Sequence, residues 1–333
     1  MRIAVDAMGG DFAPEQIVAG AVLAADEVDA QVSLVGRPEA IRACIGERPV
    51  NGRLEIEAAQ DIIEMGESPR AALRGRDDSS IARAVGLVKD ERAQAVVSAG
   101  NSGAFMAVAA TRLGVVPGVK RPAIALTLPH PSGYRVLLDA GANADCKPEH
   151  LRDFGLMGSV YAQYTLGFDS PRVGLLSIGE ETSKGNELTK AAHELLEAAD
   201  LNFIGNVEGG DVFRECCDVI VCDGFVGNVV LKTLEGLTAM LTAQVREAIL
   251  SNPALQSAMP AFEGELRRIA NQFDAAEYGG ALLLGVNGVA IVGHGCSDAR
   301  AVRNAIGFAQ RAVHARLVEH LSEVFAQRAE KSA

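Results

Sequence analysis

The chain has 333 residues, 48% hydrophobic and 22% charged, with 35 glycines. That composition suits an α/β protein with many tight strand-to-helix turns and a sizeable core. Lys and Arg number 31 against 43 Asp and Glu, a formal net charge of −12, so the protein as a whole repels nucleic acid and any anionic partner must meet a local basic patch. The six cysteines include no CxxC and no Cys/His ligand spacing, which points to neither a zinc site nor a disulfide framework.

Arg2-Asp6 predicts a first strand, and its apolar part, Ile3-Val5, is too short for a signal peptide. A helix over Pro14-Glu27, a strand at Val32-Val35 and a short helix from Pro38 follow, then a weaker strand at Leu54-Glu57 and a helix over Ser80-Asp90. Further strands are expected at Ala95-Ser98, Ala123-Leu128, Arg135-Asp139, Arg172-Ile178, Asn202-Asn206 and Asp218-Asp223. Helical stretches lie between them at Ser102-Leu113, Pro148-Leu166 and Glu187-Ala199. Alternation of this kind argues for a mostly parallel sheet flanked by helices. No repeat or linker marks a boundary, so residues 1–333 read as one α/β domain.

Beyond Asp223 the pattern changes. Val230, Leu234, Leu237, Leu241, Val245 and Ile249 fall at helical spacing, and Asn252-Pro253 ends the run. Phe262, Leu266, Ile269 and Phe273 start a second stripe. Together they predict an antiparallel helical hairpin at about 229–273 that projects from the body. Leu250, Leu255, Met259 and Phe262 gather at its turn, where lipid or another subunit should cover them. Gly279 to Gly293 reads as two buried strands joined by a tight Asn287-Gly288 turn, and a final helix spans about Ser297 to Gln327.

Most strands end in loops of Gly with Asn or Asp. These are Asp6-Ala7-Met8-Gly9-Gly10-Asp11, Ser98-Ala99-Gly100-Asn101, Asp139-Ala140-Gly141-Ala142-Asn143, Ile178-Gly179-Glu180-Glu181 with Lys184-Gly185-Asn186, and Asp223-Gly224-Phe225-Val226-Gly227-Asn228. Ligands of open α/β sheets bind at the carboxyl ends of strands, so the loops are expected to converge on one crevice and turn backbone N–H groups to a phosphate. Each alone is also what an ordinary turn looks like. No GxGxxG, GxxxxGK[ST] or GxSxG occurs, which disfavours a dinucleotide site, a Walker-type NTPase and a serine hydrolase. Lys184 reads either as a cation for an oxyanion or as an exposed surface lysine. His294 reads either as a site residue or as a structural one beside a helix cap at Ser297 or Asp298.

In order along the chain, these five loops and the His294-Gly295 segment resemble the bacterial phosphate acyltransferases, the acyl-ACP:phosphate transacylases of phospholipid synthesis. One departure is Cys296, where a His-Gly-Ser-Ser run is expected. The resemblance implies a Rossmann-like fold related to phosphotransacetylases and the isocitrate-dehydrogenase-like group. It also implies transfer of a fatty acyl group from acyl carrier protein to inorganic phosphate by a cytoplasmic homodimer on the inner face of the membrane. A downstream membrane acyltransferase is a further implied partner, and no metal or cofactor is implied. By motif position Lys184 and Asn228 are expected to be catalytic. Asp6, Gly9, Gly10, Asp11, Gly100, Asn101, Gly141, Asn143, Asn186, Asp223, Gly227 and His294 are expected to bind substrate, and Leu255, Met259 and Phe262 to meet lipid. Arg267, Arg268, Arg300 and Arg303 are candidates for meeting the acidic carrier, or are simply solvated.

The chemistry suits these residue types. Phosphate is largely ionised in the cell and a thiolate leaves readily, so positioning and oxyanion stabilisation suffice without a serine triad. Three other readings share features of the sequence: a CoA-dependent phosphate acetyl- or butyryltransferase, a metal- and NAD-dependent decarboxylating dehydrogenase of the same broad fold, and a non-catalytic scaffold.

Overall fold

The computed structural model describes residues 1–47, 52–130, 133–272 and 275–331. The chain opens with β1 (Arg2–Asp6), α1 (Glu15–Glu27), β2 (Gln31–Gly36), α2 (Pro38–Ile45), β3 (Leu54–Ala58), α3 (Pro69–Ala72) and α4 (Ser80–Lys89). It continues with β4 (Ala95–Ser98), α5 (Ser102–Arg112), β5 (Ala123–His130), β6 (Gly133–Leu138), α6 (Pro148–Leu166), β7 (Arg172–Leu176), α7 (Glu187–Glu197) and β8 (Asn202–Val207). A 3-10 turn at Gly209–Phe213 leads to β9 (Val219–Val221), α8 (Gly224–Ser251), α9 (Pro253–Gln272) and α10 (Ala275–Tyr278). The last elements are β10 (Ala281–Leu284), β11 (Val289–Val292), α11 (Ala299–His314) and α12 (Leu317–Lys331).

All eleven strands join one sheet in the order β3-β2-β1-β4-β11-β10-β5-β6-β9-β7-β8. Pairing is parallel except where β10 meets β11 and β5, and where β5 meets β6. Three successive reversals mean that β3, β2, β1, β4 and β11 point one way, whereas β6, β9, β7 and β8 point the other. The carboxyl ends of β1, β4 and β11 therefore lie at one end of the sheet, and those of β6, β9 and β7 at the opposite end.

Period-two alternation sends Ile3 and Val5 to one face and Ala4 to the other. The first face carries a continuous core in which β1, β4, β6, β7 and β10 meet α1, α6, α11 and α12. The second face carries two separate cores. One gathers Ala4, Val96 and Leu283 under α4 and α5, and the other gathers Leu137, Val207 and Ile220 with Val230 and Leu234 of α8. β5 is the divide: Ile124 packs with the first and Leu126 and Leu128 with the second. The space between α5 and α8 thus overlies the centre of the sheet.

Three expectations change. The final helix is two helices, because Arg316 at φ 50° takes the chain out of helical geometry between α11 and α12. The link between β10 and β11 is four residues rather than an Asn-Gly pair, since Val286 bridges to Val115 and Gly285 turns the chain at φ 89°. The strand at Arg172–Leu176 stops before Ile178, which is 82% exposed and belongs to the loop. Phe273, assigned to the second hairpin stripe, lies outside the described residues, as does the side chain of Arg267.

Candidate active site

At the β6 end of the sheet, the chain turns around one carboxylate. Asp139 is fully buried, and its Oδ1 accepts the N–H groups of Ile124 (3.0 Å), Gly141 (3.2 Å) and Ala142 (3.0 Å). Its Oδ2 accepts the main-chain N–H (2.7 Å) and the Nδ2 (2.9 Å) of Asn143. Burial pushes this carboxyl above the ordinary range, against the pull of its donors. Asn143 also donates to Pro122 O at 2.8 Å and takes the Gly224 N–H at 2.8 Å, which docks the start of α8 on this loop. A side chain at Gly227 would overlap the Asp139 carbonyl, so only glycine lets the helix come this close.

α8 begins with Asp223, whose Oδ1 caps the Val226 N–H at 2.9 Å. Asn228, one turn further on, is exposed and lies beside Gly141, where a Cβ would stand 3.5 Å from Asn228 Oδ1. β9 runs between β6 and β7, about 4.8 Å from each, so the loop after β7 leaves the same end of the sheet as the turn from β9 into α8. In that loop Asn186 Oδ1 caps α7 through the Thr189 N–H at 2.8 Å. The Lys184 side chain is exposed, with its stem lying over Gly179. A lysine and an amide thus flank two helix N-termini, where partial positive charge favours an anion.

At the opposite end, Asp6 plays the part of Asp139. It is fully buried, takes Ser98 Oγ–H at 2.7 Å and the Met8 N–H at 3.3 Å, and burial raises its carboxyl too. Ser98 Oγ in turn accepts the Gly100 N–H at 3.1 Å, and Gly9 packs on the Gly100 backbone. Asn101 caps α5 through the Ala104 N–H and donates its Nδ2 to the carbonyls of Glu64, Met65 and Glu67. The Asp11 N–H reaches Gly295 O at 2.8 Å, so the loop carrying His294 sits against Gly10 and Asp11.

The two ends are linked by α8. Its Asn228 stands at Gly141, and its Glu235 approaches His294, with Nε2 4.0 Å from Oε1. Seven residues of helix separate these contacts, about 10.5 Å along the axis. The five loops and the His294 segment therefore form two groups at the two ends of a groove, rather than one ring around a point. Three groups expected to offer N–H donors instead turn them inward: those of Gly100, Gly141 and Asn143 are committed to Ser98 or Asp139. The side chains of Asp6, Asn101 and Asn143 build their loops, and those of Asp223 and Asn186 cap helices. Lys184, Asn228, Asp11 and His294 keep exposed side chains, and Gly10 is half-buried between the Ala99 and Gly295 carbonyls.

Sequence reasoning missed Glu235, whose partner is 59 positions away. Its only local signal is the Lys232–Glu235 pair at 2.8 Å, an ordinary feature of a helix surface. It also missed Asp139 and Ser98 as the groups that shape the loops, and Met65, which borders Gly295 from the segment before α3. An open recess of about 680 Å³ is lined by α8 residues from Ala239 to Ser251, away from both loop groups. The loops, not that recess, define the site, because the polar groups gather there. Among the described residues no three His, Cys, Asp or Glu side chains gather as a metal ion would need.

The fold is shared with solved phosphotransacetylases and with a dehydrogenase. A phosphotransacetylase from Streptococcus pyogenes superimposes with a TM-score of 0.62 at 17% identity over 94% of each chain. A phosphotransacetylase from Staphylococcus aureus gives 0.59 at 14%, again over 94% of each. The 4-hydroxythreonine-4-phosphate dehydrogenase of Klebsiella pneumoniae gives 0.53 at 13%, over 93% of this chain and 98% of that one. These likenesses concern the fold.

Sequence is more specific. The fatty acid synthesis protein family model matches residues 1–320. The phosphate acyltransferase of Pelotomaculum thermopropionicum is 51% identical over 96% of this chain and 94% of its own, and that of Desulforudis audaxviator 52% identical over the same shares. The chain belongs to the phosphate acyltransferase family.

Proposed function

We propose that the enzyme moves a fatty acyl group from the thioester of an acyl carrier protein onto inorganic phosphate, giving acyl phosphate for glycerophospholipid synthesis. The observation that carries this reading is the placement of Lys184 and Asn228. Lys184 sits in the loop after β7, just before α7, and Asn228 near the start of α8 after β9; β7 and β9 are neighbouring parallel strands, so both leave the same end of the sheet. Phosphate bound there is held by charge and amide donors, and its oxygen attacks the thioester carbonyl carbon. The tetrahedral oxyanion is stabilised by Lys184 and by the positive ends of α7 and α8. Collapse breaks the C–S bond and releases the carrier's thiolate, which needs no acid because thiols ionise near pH 8.5. Asn228 orients the phosphate or the carbonyl. At the other end of the groove, Gly10, Asp11 and His294 are placed to receive the rest of the donor.

The partners follow from surfaces that one copy leaves uncovered. Val230 and Leu234 pack on the sheet, but the same stripe of α8 continues as Leu237, Leu241 and Val245, all about half exposed. A second copy of the chain covering this stripe would remove the apolar surface from water. At the hairpin turn Leu250, Leu255 and Phe262 are exposed and Met259 is half-buried, which supports a reversible contact with the inner face of the membrane. No helix among the described residues is long and apolar enough to cross a membrane. Arg268, Arg300 and Arg303 pair with Glu265, Glu277 and Glu27, so their charge is already partly matched before any carrier arrives.

The deciding experiment supplies purified protein with acyl carrier protein loaded with a fatty acid, with and without phosphate, and traps acyl phosphate with hydroxylamine. Phosphate-dependent hydroxamate formation from the carrier thioester is expected. Faster turnover with acetyl- or butyryl-CoA would instead make the enzyme a CoA-dependent transferase.

A further inference from the structure

Cys296 is the one exposed thiol of the six, and it does not stand alone. Its Sγ lies 2.9 Å from Nδ1 of His294, and its main-chain N–H points at the same nitrogen from 3.4 Å. Two donors aimed at Nδ1 make that nitrogen the acceptor, so the ring proton sits on Nε2. Nε2 in turn faces Oε1 of Glu235 at 4.0 Å, and the other oxygen of Glu235 is held by Lys232 Nζ at 2.8 Å. This is a thiol hydrogen-bonded to an imidazole, with a carboxylate 4.0 Å from the ring's far nitrogen. The other cysteines lack such a setting. Burial pushes the thiols of Cys44, Cys217 and Cys222 up, and that of Cys146 to about 12, and Cys216 has its Sγ turned to the Asp211 carbonyl and to Cys217.

We propose that Cys296, His294 and Glu235 form a thiol modification site that reacts with low-molecular-weight disulfides, and that the mixed disulfide obstructs the groove. The Cys296 proton passes to Nδ1 and the sulfur attacks one sulfur of R–S–S–R. The old S–S bond breaks, and the departing R–S⁻ takes the proton from the imidazolium. The attached R–S group then lies beside His294 and so near Glu235 of α8, at the His294 end of the groove. The inhibitory half of the proposal rests on the acyltransferase reading of that groove, whereas the reactivity of the thiol does not.

The test exposes the full-length protein to cystamine and follows each cysteine peptide by mass, alongside acyl phosphate formation. Cys296 is expected to gain the aminoethylthio group at least about tenfold faster than any other cysteine. His294→Gln should slow that gain about tenfold with Cys296 still exposed, and Glu235→Gln should slow it less. Activity should fall in step with modification, return with dithiothreitol, and resist cystamine in Cys296→Ser. A rate at Cys296 no greater than at Cys44 or Cys216, or one unchanged in His294→Gln, overturns the site. Full modification without loss of turnover overturns the obstruction. The peptide masses decide the thiol chemistry whatever activity the untreated enzyme has.

Discussion

Asn228 lies against Gly141, with its Oδ1 3.5 Å from where a Cβ on Gly141 would be. Asn228 thus lies over the loop built by Asp139 with its side chain exposed. Asn228→Asp separates ligand contact from structural support. A negative charge in the first turns of a helix is neutral or favourable to stability, by about 0.3–1 kcal/mol. The same charge beside bound phosphate is repulsive. The variant should unfold at the same urea concentration as the parent or slightly higher, while turnover falls by about 10² or more. Equal turnover in the two proteins would remove Asn228 from the site.

Lys184 makes the complementary case. Its side chain is exposed, so Lys184→Ala should change stability by no more than about 0.5 kcal/mol. Loss of the only cation in its loop should lower kcat by at least about 10² at saturating phosphate. A kcat within about threefold of the parent would return Lys184 to the status of a surface lysine.

Asp218 sets an acid limit on the second half of the sheet. It bonds Arg172 through Oδ2 to Nε (3.0 Å) and Oδ1 to Nη2 (3.0 Å), with buried Arg135 at 3.7 Å. Burial alone would raise its carboxyl, but the hydrogen bonds and charge of Arg172 outweigh this and hold it below the ordinary range. A depressed folded value means that the stabilisation is fully present above the unfolded value, near pH 3.9. It is lost as pH falls from there through the folded value. Asp218→Asn should therefore cost about 3 kcal/mol at pH 7. The difference from the parent should shrink below about pH 4, as read by urea unfolding at the two conditions. A gap of equal size at pH 7 and pH 3 would show that the carboxylate charge contributes nothing.

At the hairpin turn, Leu255 and Phe262 are 41% and 50% exposed. Each buried side chain of this size contributes at most about 1.5–3 kcal/mol, enough for reversible attachment and too little for permanent insertion. Leu255→Glu with Phe262→Glu should leave the protein in the supernatant after liposome sedimentation, with dimerisation and turnover on soluble acyl carrier protein intact. A monomeric double variant would assign the turn to the subunit interface.

Much of the fold was legible because its signals are local. The alternation of β-branched runs with helical stripes placed nine of the eleven strands within about two residues and the other two as a pair between Gly279 and Gly293, and Asn252-Pro253 ended α8 where expected. Of the two caps offered for the last helical stretch, Ser297 and Asp298, the structure uses Asp298, while the caps at Asn101, Asn186 and Asp223 emerge only from the structure. The errors were local too. Nothing in the composition around Ala315-Arg316 announces a break, since Arg316 leaves helical geometry without Gly or Pro.

The sequence by itself determined the strand-end loops, the residue types they carry and the family, because spacing, turn chemistry and full-length identity are properties of the chain. Only the tertiary structure decided where those loops go. An apolar strand reads the same in either direction, so the reversals across β10, β5 and β6 left no trace in composition, yet they split the loops between two ends of a groove. Whether an Asp faces water or its own backbone is likewise decided by what closes over it, as at Asp6 and Asp139. The meeting of His294 with Glu235 depends on α8 crossing that groove, a contact that helical periodicity cannot encode.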